Sequence, residues 1–272
     1  ALPVRWFRRR DRADMRNHRK LFVIDGTIGY AGSQNLVAKD FRPGVVNREL
    51  VARVGGPVVA EMAAVIAADW SLEDKGPPRP SPVVIPAAEG KARLQLLPSG
   101  AEYPLEGFET LLVWQIHRAR RRVVLVTPYF VPDEDVIGAL RSAATRGVIV
   151  DLVVSAVVDQ QIVHLAQCSY FEELLAAGIR LHRYRGFLLH AKNASIDDAL
   201  GVVGSSNVDL RSFQLNEEAS LLLYDADAIA RLQAIQDSYI AASDPLQDAS
   251  WRTRPRRQKL LENIARIMSP LL

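Results

Sequence analysis

Cysteine occurs once in the 272 residues, as Cys168. No disulfide framework can therefore hold the fold, and the lone thiol suits a reducing compartment as a small core residue. No apolar run reaches the ~20 residues that a membrane-spanning helix needs, and no secretory signal pattern opens the chain. Net charge is scarce too, since 34 Lys and Arg against 31 Asp and Glu leave only +3. A basic groove interleaved with aromatic residues, the pattern of single-strand nucleic-acid binders, is missing. What remains is ordinary globular composition, 49% hydrophobic and 24% charged, long enough for one large or two medium domains.

The charge is unevenly spread. Arg5, Arg8, Arg9, Arg10, Arg12, Arg16 and Arg19 crowd the first twenty residues, and Arg252, Arg254, Arg256, Arg257 and Lys259 form a second basic run near the end. Either run could meet anionic lipid or nucleic acid, or form a solvated surface.

The strongest feature is a long-range repeat. His18, Lys20 and Asp25 have the spacing H-x-K-x4-D, followed by Gly32, Ser33 and Asn35 as G-S-x-N and by Asn47 and Glu49 as N-x-E. His190, Lys192 and Asp197, then Gly204, Ser205 and Asn207, then Asn216 and Glu218, repeat the series. His18 to Gly32 and His190 to Gly204 are the same 14 residues apart, so the two copies define two equivalent lobes. On a strand, the His and Lys of H-x-K point to one face. Each motif strand runs into a turn at its Asp and returns toward the glycine as a hairpin. The G-S step expects close backbone approach to a ligand, with hydroxyl and amide donors beside it.

Two such copies facing each other make a pocket of two imidazoles, two ammonium groups and two amides. That set suits a phosphodiester: cations and amides stabilise the equatorial oxygens, one imidazole attacks phosphorus, and the other protonates the leaving oxygen. Histidine fits both roles because its ordinary pKa lies near neutrality. The candidate catalytic set is His18, Lys20, Asp25, His190, Lys192 and Asp197, with Ser33, Asn35, Ser205 and Asn207 as phosphate ligands. Asp25 and Asp197 stand beyond their strands and suit orienting the turn as much as touching substrate. Glu49 and Glu218 are candidates to accept a hydrogen bond from an imidazole and fix its tautomer, as the third member of a triad does. His117, His164 and His182 lack such company and read as structural.

The paired motifs resemble the phospholipase D superfamily. Thr127–Asp133 (TPYFVPD), Ser169–Tyr184, GFLLHAK, VGSSNVDLRSFQLNEE and the terminal ENIARIMSPLL narrow the resemblance to bacterial cardiolipin synthases, over almost the whole chain. The resemblance implies a covalent phosphatidyl-histidine formed without a metal or other cofactor. It implies phosphatidyl transfer between two phosphatidylglycerols, giving cardiolipin and glycerol, with His18 as nucleophile and His190 as acid and base. Lys20, Lys192, Asn35 and Asn207 would hold the phosphate. The rivals are a phospholipase D that releases phosphatidic acid to water, a nucleic-acid phosphodiesterase, and a non-catalytic lipid-binding or assembly module. The implied partners are phosphatidylglycerol and an anionic membrane surface, with no nucleic acid. The implied location is the bacterial cytoplasmic membrane, reached peripherally or through an anchoring segment outside this chain.

Strands alternating with helices expect an α/β fold of two phospholipase D-like lobes, with mixed sheets flanked by helices. Residues 1–75 read as the C-terminal part of a first lobe, 76–90 as a Pro-rich linker, and 91–272 as a complete second lobe. About a hundred residues precede His190 after the linker, but only 17 precede His18, so the first lobe is expected to be incomplete and the chain to be part of a longer protein. From Arg256 onward, Leu260, Leu261, Ile264, Ile267, Met268 and Leu271 recur at helical spacing opposite Arg and Lys. That amphipathic helix would lie on anionic lipid or pack on the body. Phe130, Val131, Phe187 and Leu188 flank the motif strands and would line an acyl path or fill the core.

Overall fold

The computed structural model describes residues 16–38, 44–73, 85–88, 90–100 and 107–268. Its first part holds β1 (Leu21–Ile24), β2 (Ile28–Gly32), β3 (Asn47–Arg48), β4 (Val51–Gly55) and α1 (Val58–Glu73). Then come β5 (Leu94–Ser99), α2 (Phe108–Arg118), β6 (Arg122–Val126), β7 (Phe130–Val131), α3 (Glu134–Thr145), β8 (Ile149–Ser155) and α4 (Gln161–Ala176). The second motif lies within β9 (Arg180–Tyr184), β10 (Leu188–Leu189), β11 (Asn193–Ile196), β12 (Leu200–Gly204), β13 (Val208–Asp209), α5 (Leu210–Gln214) and β14 (Glu218–Leu223). The chain closes with α6 (Ala226–Ala241), β15 (Ser243–Pro245), α7 (Asp248–Arg252) and α8 (Arg256–Ile267).

Local chemistry explains these bounds. Asp133 caps α3 by accepting from the Val136 amide, and Asp225 caps α6 through the Ala228 amide. Gly147 and Gly178 take positive φ just beyond α3 and α4, where a side chain would be strained. The Val- and Leu-rich runs of β6 and β8 are buried on both faces, as strands of a parallel sheet must be.

Among the described residues the first lobe is an antiparallel sheet, β1-β2-β4, with α1 against it. A side chain at Gly29 would run into Met62 of α1. The second lobe is built on an eight-stranded sheet of order β15-β9-β8-β6-β11-β12-β14-β5. It is mixed: β6, β8 and β9 run parallel, and β11, β12, β14 and β5 antiparallel. One apolar core lies between this sheet and α2, α3 and α4. A second joins the lobes, with Ala31, Val54 and Met62 packed among Leu96, Val203, Leu221 and Leu223. Inside the sheet, Asp151 is buried and accepts from Arg122, Arg180 and His182.

Several expectations need correcting or fall elsewhere. Most of the proposed linker, and Arg5 through Arg12 of the basic start, lie outside the described residues. Arg19 is no surface charge, since its guanidinium is buried between Asp69 and Glu217. Phe130, Val131 and Leu188 are core residues, 0–2% exposed, and only Phe187 faces outward. Cys168 is buried, beside His164.

Candidate active site

The two motifs meet across the lobe interface, and short parallel strands lace them together. β10 pairs with β3, and the His190 amide donates to the Arg48 carbonyl at 2.9 Å. On the pseudo-symmetric side Asn17 bridges to Glu217, and the His18 amide donates to the Glu217 carbonyl at 2.8 Å. Each histidine therefore rides on a segment hydrogen-bonded to the other lobe's N-x-E.

That lacing exchanges the glutamates. His18 Nδ1 bonds Glu218 Oε1 at 2.8 Å, and His190 Nδ1 bonds Glu49 Oε1 at 2.8 Å and Oε2 at 2.9 Å. A carboxylate accepts, so each neutral imidazole carries its proton on Nδ1 and leaves the Nε2 lone pair free. The glutamates are held in turn by the serines of G-S-x-N in their own lobe. Ser33 Oγ donates to Glu49 Oε2 at 2.6 Å, and Ser205 Oγ donates to Glu218. Both serines are fully buried and also accept a backbone amide, from Leu50 and Ala219. Their hydroxyls are thus committed to positioning the carboxylates. This corrects the expectation that Ser33 and Ser205 bind phosphate.

The glycine has a different purpose from the one its motif suggests. A Cβ on Gly32 would collide with the Leu50 carbonyl, and one on Gly204 would lie 2.9 Å from the Ala219 oxygen. The close approach is to the strand that follows the glutamate, not to a ligand.

Both lysines fold back beneath their histidines. Lys20 Nζ donates to the His18 carbonyl at 2.6 Å and Lys192 Nζ to the His190 carbonyl at 2.7 Å. Neither is exposed beyond 6%. Burial takes the Lys20 ammonium down to about 8 and that of Lys192 to about 7, against the pull of Glu49 and Glu218. Burial and the Lys192 charge take the His190 imidazole down to about 4, despite its Glu49 bond. Burial works to raise the Glu49 carboxyl, but His190, Ser33 and Lys192 together hold it below its usual range. The site is asymmetric, because the His18 side chain is 28% exposed and that of His190 10%.

The aspartates of H-x-K-x4-D do not join this group. Asp25 and Asp197 sit at the hairpin turns with φ of 51° and 49°, in the left-handed region that Asp tolerates. Asp197 accepts from the backbone amides of Arg120, Arg121 and Arg122, tying the β11–β12 turn to the start of β6. Strand length separates it from Lys192, and its carboxylate serves the turn, the second of the two roles the sequence left open for Asp25 and Asp197. Asn207 is buried with its Oδ1 unpartnered, while its side chain also bonds Asp209. Asn35 lies at the half-buried end of the same segment in the first lobe.

Two participants were given no role at the site from the sequence. Asn47 Nδ2 donates to Glu49 Oε1 at 3.3 Å, and Arg19 anchors the segment before Lys20 to Glu217. The second N-x-E, in which Asn47 and Asn216 correspond, was the signal for the first; nothing marked the second. Among the described residues one group of carboxylates lies close enough to share a cation, Glu109, Asp133 and Asp135 where α2 and α3 begin. It includes neither histidine.

Each histidine is thus bonded through Nδ1 to the other lobe's glutamate, with a buried ammonium group beneath it. Residues 112–240 match the family described as "Cardiolipin synthase, PLD-like domain". The chain is 37% identical over 281 residues to Cardiolipin synthase A of Pectobacterium carotovorum subsp. carotovorum (strain PC1), covering 100% of this chain and 58% of that protein. Against Cardiolipin synthase A of Serratia proteamaculans (strain 568) it is 37% identical over 269 residues, covering 96% and 55%. The chain thus spans little more than half the length of these relatives. Its fold is similar to that of phosphatidylserine synthase from Haemophilus influenzae Rd KW20, with a TM-score of 0.67 at 18% identity over 93% of this chain and 69% of that one.

Proposed function

We propose that this chain, similar to the cardiolipin synthase PLD-like domain over residues 112–240 and to Cardiolipin synthase A over its whole length, carries out phosphatidyl transfer between two phosphatidylglycerol molecules, giving cardiolipin and glycerol. The observation that carries this is the crossed pair of His–Glu couples, His18–Glu218 and His190–Glu49, each leaving Nε2 free. In the first step Nε2 of one histidine bonds to phosphorus and the bond to the headgroup glycerol oxygen breaks. The second imidazole, protonated at Nε2 before the step, gives that oxygen its proton and is left neutral. In the second step a glycerol hydroxyl of another phosphatidylglycerol bonds to phosphorus, its proton passes to the second imidazole, and the P–N bond breaks. Lys20 and Lys192 stabilise the charge on the phosphoryl oxygens, and a bound anion returns both ammonium groups toward their ordinary basicity. Asn35 and Asn207 complete the phosphate site. The lobes are residues 1–75 and 91–272, joined by 76–90, and the reaction takes place at the bacterial cytoplasmic membrane.

The order of the histidines reads best as the reverse of the one the family resemblance implies. An imidazole whose pKa is about 4 is unprotonated at neutral pH, with its lone pair available and no proton to donate, which suits His190 as nucleophile. The more exposed His18, in reach of solvent protons, suits acid and base.

The test uses the protein in phosphatidylglycerol vesicles, with lipid products read by mass spectrometry. Cardiolipin and glycerol are expected. Phosphatidic acid alone would move the reading to a hydrolase, and cleavage of nucleic acid with no lipid product to a phosphodiesterase. His18→Ala and His190→Ala are each expected to lose transfer, by roughly a thousandfold or more; transfer retained in either sinks the two-histidine mechanism. Peptide mapping after an alkaline quench locates the phosphorylated histidine, and a label on the His18 peptide would overturn the assigned order.

A further inference from the structure

Helix α8 sits on the body by its polar face. Its underside holds Gln258, Glu262, Ala265 and Arg266 against α4. Glu262 is fully buried and accepts from Arg254 Nε and Gln258 Nε2, both at 2.9 Å. Arg254 continues to Glu172 at 2.8 Å and stacks on Trp251. Arg266 donates to Glu173 at 2.8 Å, pairs with Glu134 and stacks on Tyr170. Lys259 pairs with Glu172. Rolling α8 to bury its apolar side would expose or orphan every one of these charges, so the ion pairs lock the helix as it lies.

The apolar stripe is consequently turned to solvent. Leu260, Leu261, Ile264, Ile267 and Met268 are 61, 54, 47, 80 and 41% exposed, and their spacing aligns them on one face. Arg256 and Arg257 are exposed at the head of the same helix, with no ion-pair partner among the described residues. A solvent-facing aliphatic stripe headed by exposed guanidinium groups matches a surface that is apolar below and anionic above.

We infer that the outward face of α8 docks on an anionic phospholipid bilayer, with Leu260, Leu261, Ile264, Ile267 and Met268 entering the acyl boundary and Arg256 and Arg257 meeting the headgroups. The polar underside then serves as a bracket that presents an apolar helix outward. Among the described residues no helix is long and apolar enough to cross a membrane. The inference deepens the phospholipid reading of the active site and rests on it for the choice of lipid.

The test is flotation of the chain with vesicles of phosphatidylglycerol and phosphatidylethanolamine, beside phosphatidylcholine vesicles, with no turnover required. Binding is expected to the anionic vesicles and to weaken with salt. Ile264→Glu/Ile267→Glu is expected to lower that binding roughly tenfold or more with an unchanged unfolding temperature. Arg256→Gln/Arg257→Gln is expected to lower it less and to flatten its salt dependence. Equal vesicle binding by the Ile264→Glu/Ile267→Glu variant overturns the inference. So does a parent chain that ignores anionic vesicles, or one that is dimeric by light scattering and becomes monomeric in that variant without having bound lipid, which would assign the face to a second copy. A chain that binds but makes no cardiolipin overturns the proposed function alone, and one that turns over detergent-dispersed lipid without floating overturns the docking alone.

Discussion

Lys192 should be a residue that activity needs and stability does not. It is 2% exposed, and burial takes its ammonium from the ordinary 10.5 down to about 7, with the attraction of Glu49 and Glu218 already included. A fall of that size corresponds to about 4–5 kcal/mol by which the charged form is disfavoured in the folded chain. The unfolded chain keeps this proton up to its ordinary pKa, whereas the folded chain releases it near 7. The unfolded state therefore binds more protons between those values, and stability rises with pH across that window. Lys192→Met removes the penalty but also the bond from Nζ to the His190 carbonyl, worth about 1 kcal/mol, and leaves two carboxylates less well compensated. A net gain of about 2–3 kcal/mol at pH 7 remains, or roughly 4–10 °C in unfolding temperature. Thermal and urea unfolding of both proteins at pH 7 and pH 10 measure it, beside the vesicle assay. The expected pattern is a more stable, inactive variant whose advantage shrinks toward pH 10. A variant less stable than the parent at pH 7, or an advantage independent of pH, would refute the reasoning.

Three further outcomes follow from the same geometry. Glu218→Gln keeps the shape of the carboxylate but not its charge, so His18 loses its fixed tautomer; kcat should fall roughly a hundredfold with KM little changed, read on phosphatidylglycerol vesicles. Asp197→Ala leaves the amides of Arg120, Arg121 and Arg122 without their acceptor; stability should drop by about 1–3 kcal/mol in urea unfolding, while transfer per folded molecule persists. His190 has a folded pKa of about 4 against an ordinary 6.5, so the unfolded chain binds its proton first as pH falls; its contribution, about 3 kcal/mol, is present above 6.5 and lost toward 4. A His190→Gln variant whose stability declines as steeply as the parent's over that interval would contradict this.

Much of the fold was legible in the sequence because its signals are local. The hairpins that follow H-x-K, the Asp25 and Asp197 turns, the caps at Asp133 and beyond Arg146 and Ala177, and the buried runs of β6 and β8 each depend on residues a few places apart, although H-x-K itself lies just outside the strands. A repeat marks Asp25 and Asp197 as required without saying for what, so the catalytic and turn-orienting roles both stayed open. Spacing treats a turn and a ligand alike. The Ser33 and Ser205 hydroxyls were misjudged for a related reason, since a donor beside a phosphate site can equally serve the group that orients the histidine.

By itself the sequence determined that each copy carries an imidazole, an ammonium, an amide and a carboxylate at matching offsets, because the repeat preserves residue type and spacing. It also determined the helical stripe from Leu260 to Met268, which periodicity alone reveals. Tertiary structure decided which carboxylate serves which histidine. His18 takes Glu218 and His190 takes Glu49, pairings 200 and 141 residues apart that follow from β10 lying on β3 and Asn17 on Glu217. It decided that Lys20 and Lys192 are buried deeply enough to lose basicity, since desolvation depends on everything packed around a charge. And it decided which face of α8 meets the body, because the acids that pair with Arg254, Lys259 and Arg266, namely Glu172, Glu173 and Glu134, come from other helices.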